Sequence, residues 1–175
     1  YKKLEAPAQI TRLQNLARPL MVVRKRPEVI YTITILDDEE VNAFSHVGGY
    51  IYINKGLLQL ITNDTELQFV LGHEIGHVDL KHCSEAVTYA ARASDVGGAL
   101  GETLAQLAYS AIALGFSEDE EFEADDYALQ AMLRARLNGQ AAIACLQKLS
   151  KHYDEPSEDG SSDSSDAGEK LIDRI

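Results

Sequence analysis

His73-Glu74-Ile75-Gly76-His77 lies in an apolar setting, with Phe69-Val70-Leu71-Gly72 before it and Val78 after it. Residues four apart on a helix share a face, so the two histidines can aim imidazole nitrogens at one metal ion. Glu74 then falls within reach of a water bound to that ion. H-E-x-x-H on a helix is the arrangement that zinc-dependent peptide hydrolysis uses, with the glutamate as general base. Burying two neutral histidines and a glutamate in an apolar helix without a cation would be costly.

A catalytic zinc site takes three protein ligands and keeps a fourth position for water. The third ligand is expected from the helix after Ser117, which carries Glu121-Phe122-Glu123-Ala124-Asp125. Glu121 and Asp125 are four apart and share a face. Glu121 is the candidate ligand. Asp125 is the candidate acceptor for the far nitrogen of a ligand histidine, a bond that fixes the tautomer and makes the ligand more basic. Glu123 points to a different face and is a weaker candidate, and Asp119, Glu120 and Asp126 read as solvated or dipole-compensating charges. His46 and His82 are expected not to be ligands, His82 because it lies five residues past His77 and off its face.

Around this centre, apolar spacing predicts a helix over 8–20, ending near Pro19. A β-branched run predicts a strand over 29–36, and 41–44 with 50–53 predict a hairpin turned by Val47-Gly48-Gly49. The motif helix is expected over 63–81, opened by a capping box of Asn63 with Glu66. Residues 84–116 read as mostly helical, with a break at Gly97-Gly98. A helix over 117–137, capped by Ser117 with Glu120 and ended by Asn138-Gly139, and another over 140–152 follow. The Ser/Asp/Glu/Gly-rich stretch 154–168 reads as a flexible acidic loop. The expected fold is α+β and mainly helical: a zincin-like active-site helix, a third-ligand helix crossing near it, and a small β-sheet beside the cleft.

The 175 residues suffice for a single domain with its own core. The net charge of −12 argues against nucleic acid as a partner. Seven of the acids lie in 154–169, without which the charge would be about −5. Cys83 and Cys145, the two cysteines, are expected as buried free thiols rather than a disulfide framework. No targeting segment is visible, and the apolar stretch 96–116 carries Glu102 and Gln106 and is rejected as a membrane span.

The chain also carries a family resemblance. Asn42-Ala43-Phe44, Gly48-Gly49-Tyr50-Ile51-Tyr52-Ile53, Gly56-Leu57-Leu58, Glu66-Leu67 through the H-E-x-x-H, and Glu121-Phe122-Glu123-Ala124-Asp125 occur in that order. Together they resemble the CAAX-prenyl endopeptidase/HtpX type of zinc metallopeptidase, family forty-eight of the metallopeptidases, with gluzincin architecture. Within it the chain resembles in particular the soluble BepA/LoiP-like bacterial members. The resemblance implies one zinc per chain on His73, His77 and Glu121, Glu74 as general base and Asp125 supporting a ligand. It also implies a location in the bacterial periplasm or envelope. The sequence departs from the family where soluble members carry a His-Pro pair: Asp166-Ala167 stands there, which leaves the transition-state donor open among His46, His152 and tyrosines.

The expected activity is zinc-dependent endopeptidase action on unfolded, misfolded or unassembled proteins. The polypeptide substrate is expected to bind extended along a sheet edge, with the strand 50–53 as the candidate edge. The alternative is a zinc-stabilised chaperone or binding module with weak or gated proteolysis, supported by the altered tail and the acidic run. An aminopeptidase ranks last, because no acidic anchor for a substrate amine is recognisable. Substrate identity and oligomeric state are not legible.

Overall fold

A computed structural model describes residues 2–88 and 115–154. Its centre is the motif helix, α3 (Asp64–Asp79), in which thirteen of sixteen residues are buried. Around it stand α1 (Pro7–Val23), the strands β1 (Thr32–Leu36), β2 (Ala43–His46) and β3 (Tyr50–Asn54), the short helix α2 (Lys55–Leu60), and the helices α4 (Glu118–Arg134) and α5 (Gln140–Asp154). This is a mainly helical α+β arrangement with one small sheet, as expected.

The sheet runs in the order β1-β3-β2. β1 pairs parallel with β3, Thr32 opposite Tyr50, and β2 pairs antiparallel with β3, His46 opposite Tyr50. Alternation places Ile33, Ile35, Ile51 and Ile53 in one buried layer. That layer meets Leu13, Ala17 and Leu20 of α1 and Leu67, Leu71 and Ile75 of α3 in the hydrophobic core. The hairpin turn uses Gly48 and Gly49 at φ 89° and 86°, where side chains are strained. A Cβ on Gly49 would also stand 2.6 Å from the Ile30 carbonyl oxygen.

Several boundaries differ from the sequence expectation. α1 continues through Pro19 to Val23. The missing N–H removes one bond, to the carbonyl of the exposed Asn15, and burial of Leu20 offsets that loss. β1 begins at Thr32 rather than 29, and β2 sits two residues later than expected. β3 is the middle strand, paired on both sides, and so is not the edge it was expected to be. The outer side of β1 is bridged by Lys3 at Leu36. Among the described residues, no strand pairs with the outer side of β2.

α3 is capped by Asn63, whose side chain accepts from the amides of Thr65 and Glu66. The reciprocal half of the box is not formed, because the buried Glu66 carboxylate takes the Lys148 ammonium of α5 at 2.7 Å. The expected box at α4 is complete, with Ser117 and Glu120 bonding each other's amides. α3 stops at Asp79 rather than 81, and Lys81 adopts a left-handed φ of 74°. Asp79 anchors that end: it accepts from the amides of Lys25 (2.6 Å) and Arg26 (3.3 Å) and from the hydroxyls of Tyr31 and Tyr127 (2.6 Å each). Residues 82–88 are helical. The rest of the alanine-rich stretch, the acidic loop after Asp154 and the terminal segment lie outside the described residues.

Candidate metal centre

α3 and α4 pack against each other through small residues. A Cβ on Gly72 would stand 3.2 Å from the Cα of Ala128, and one on Gly76 would stand 3.1 Å from the Tyr127 ring. Ala124, Ala128 and Ala131 are buried on the facing side of α4. The helices can therefore approach closely, which brings side chains on α4 to the histidines of α3.

His73 Nε2 and His77 Nε2 face each other at 2.9 Å. One Glu121 oxygen lies 3.5 Å from His73 Nε2 and the other 3.5 Å from His77 Nε2. One donor atom from each of the three falls within 4.8 Å of the others, a grouping that could hold a metal ion. Two nitrogen ligands of a tetrahedral zinc stand about 3.3 Å apart, given bonds of about 2.0–2.1 Å. The observed 2.9 and 3.5 Å straddle that value. Converging lone pairs also repel unless a proton or cation lies among them, so the donor set fits a zinc ion.

His73 Nδ1 lies 2.7 Å from Asp125 Oδ1. Burial is the largest influence on the His73 pKa and lowers it. The hydrogen bond to Asp125 and the charges of Glu121, Glu74 and Asp125 together outweigh burial, so the pKa is raised. Glu74 is 4% exposed. Its charge reaches His73 and, with burial as the main cause, helps push the Cys83 thiol up to about 11. Both cysteines are free and buried, as expected, and Cys83 is no thiolate nucleophile near neutral pH.

Three neighbours were not legible from the sequence. Phe116 stacks on His77 with ring centroids 3.9 Å apart and planes at 16°. His82 Nδ1 stands 3.0 Å from His77 Nδ1, and His82 Nε2 stands 3.2 Å from Glu123 Oε2. His82 is not part of the three-donor group but touches a member of it. A histidine five residues past the motif was the only available signal, and a continuous helix would have turned it away. His46 bonds the Val47 carbonyl, and His152 is exposed against Tyr153, so neither joins the group among the described residues.

A buried H-E-x-x-H helix crossed by a carboxylate-bearing helix defines a metallopeptidase-type centre. The chain belongs to peptidase family M48, whose family model matches residues 7–162. It is 32% identical over 124 residues to Metalloprotease LoiP of Escherichia coli (strain K12), covering 65% of this chain and 49% of that protein. It is 31% identical over 149 residues to Metalloprotease YcaL of the same organism, covering 79% and 58%. The Beta-barrel assembly-enhancing protease of that strain is 27% identical over 132 residues, 66% and 27%. The chain thus spans less than two thirds of the length of each of these relatives.

Proposed function

We propose that this chain is a single zinc metalloendopeptidase domain that binds one zinc ion and cleaves unfolded, misfolded or unassembled polypeptides. The convergence of His73, His77 and Glu121 beside buried Glu74 carries this reading. His73 and His77 would hold the ion through their Nε2 atoms and Glu121 through its carboxylate. When bound, zinc would lower the pKa of a water to about 7 and polarise the scissile carbonyl. Glu74 would accept the proton of the attacking water and pass it to the leaving amine. Phe116, stacked on His77, shields that ligand from solvent.

The substrate would bind extended on β2. Ser45, buried on this strand, touches Cys83, next to His82 and hence close to the metal ligands. An edge strand selects chains with free backbone amides, which favours unfolded segments. Among the described residues no helix is long and apolar enough to cross a membrane. The resemblance to bacterial proteases supports the periplasm or envelope as the location.

The test is metal content with casein cleavage, for the wild type and Glu74→Gln. One zinc per chain in both proteins is expected, with cleavage reduced about 10²–10⁴-fold in the variant. Full zinc occupancy without wild-type cleavage would point instead to a binding module. A wild type that takes up no zinc would overturn the site.

A further inference from the structure

We infer that His82 is a positioning residue for His77, accepting the Nδ1–H of that ring so that a bare Nε2 faces the metal. The inference rests on the metal-site reading above. An imidazole can bind a metal through Nε2 only if Nε2 carries no proton, and a neutral ring then carries its proton on Nδ1. His77 Nδ1 meets His82 Nδ1 at 3.0 Å. With the proton on His77, His82 Nδ1 is the acceptor and its own proton sits on Nε2. That N–H donates to Glu123 Oε2 at 3.2 Å. Every nitrogen of the pair then has a partner, as a buried imidazole at 3% exposure requires. Stacking on Phe116 and the edge contact with His82, planes at 70°, leave the His77 ring little freedom to rotate.

The two ligand histidines are therefore supported differently. His73 bonds the Asp125 carboxylate directly. On its Nδ1 side His77 meets a second imidazole, which in turn meets the Glu123 carboxylate. Asp125 and Glu123 both come from α4, two residues apart and about 200° around the helix axis. One helix thus serves both histidines because His82 spans the remaining distance. The left-handed Lys81 makes this possible by ending α3 and folding the chain back, so that His82 lies beside His77. The Glu123 side chain is 65% exposed, so water screens its charge. Orientation by His82 should therefore outweigh the pull of Glu123.

The experiment measures zinc affinity by chelator competition, and visible absorption of the cobalt-substituted protein, for the wild type, His82→Leu, His82→Asn and Glu123→Gln. His82→Leu should weaken zinc binding about 10–100-fold and change the cobalt absorption. His82→Asn, whose amide oxygen can stand near the lost Nδ1, should recover most of that affinity. Glu123→Gln should lose less than His82→Leu, and this exposed change carries the test if His82→Leu does not fold. Wild-type affinity and spectrum in His82→Leu and Glu123→Gln would overturn the inference, as would equal losses in the Leu and Asn variants, which would indicate packing alone. Failure of the wild type to bind zinc would instead overturn the metal-site reading beneath it.

Discussion

Gly72 of α3 and Ala128 of α4 are in such close contact that a β-carbon on Gly72 would stand 3.2 Å from both the Cα and the Cβ of Ala128. The contact adjoins His73 and stands opposite the helix that carries Glu121 and Asp125. Backbone cannot yield as a side-chain tip can, so a larger residue must push the helices apart. Gly72→Val should cost about 2–3 kcal/mol of stability, read from urea unfolding. It should also weaken zinc binding, because the donors lie on both sides of the seam. Loss of stability with unchanged zinc affinity would show that the seam does not set the donor geometry.

Asp125 acts on His73 in two ways, fixing the ring and raising its pKa. In the metal-free protein, protons therefore compete for His73 at a higher pH than for a free imidazole. A raised folded pKa contributes stability that is complete below the unfolded value of about 6.5 and is lost as pH rises through the folded value. Zinc affinity should accordingly begin to fall at a higher pH on acidification than a free imidazole would give. Asp125→Asn should lower the His73 pKa, followed by NMR of the metal-free protein, and weaken zinc about 10–100-fold through lost orientation. An unmoved His73 titration would refute this account.

Asp79 gathers four donors at the end of α3, two of them phenols. Asp79→Ala would leave those donors without their acceptor and should cost about 3 kcal/mol or more. Burial, then the bond to Asp79, raises the pKa of both Tyr31 and Tyr127. Their contribution to stability is complete below about pH 10 and is lost as pH climbs toward the folded values. Ultraviolet titration should show Tyr31 and Tyr127 ionising only at alkaline unfolding, and not near pH 10 with the fold intact. Titration of every tyrosine near pH 10 with the fold intact would contradict it.

Pairing of substrate with β2 predicts that backbone N-methylation of a cleaved peptide raises KM, by about fivefold for each bond of about 1 kcal/mol removed. Methylation at alternate residues should have little effect, because only every second amide of a paired strand faces its neighbour. Equal sensitivity at all positions would argue against strand pairing.

The local content of the site was legible in the sequence because helix periodicity is a local property. The four-residue spacings of His73 with His77 and of Glu121 with Asp125 place each pair on one face whatever the surroundings. The Ser117–Glu120 cap is equally local. Non-local competition explains what was not legible. Glu66 left its expected cap for Lys148, 82 residues away, because a buried carboxylate gains more from a cation than from an exposed amide. α1 passed Pro19 because core burial of Leu20 outweighed one lost hydrogen bond. β3 became the central strand through parallel pairing with β1, which no hairpin signal encodes. His82 reached His77 only because the chain turns at Lys81. The sequence by itself determined which side chains share a helix face, since that follows from 3.6 residues per turn. Only the tertiary structure decided which faces meet and which buried groups pair, because those depend on close approach between segments far apart in the chain.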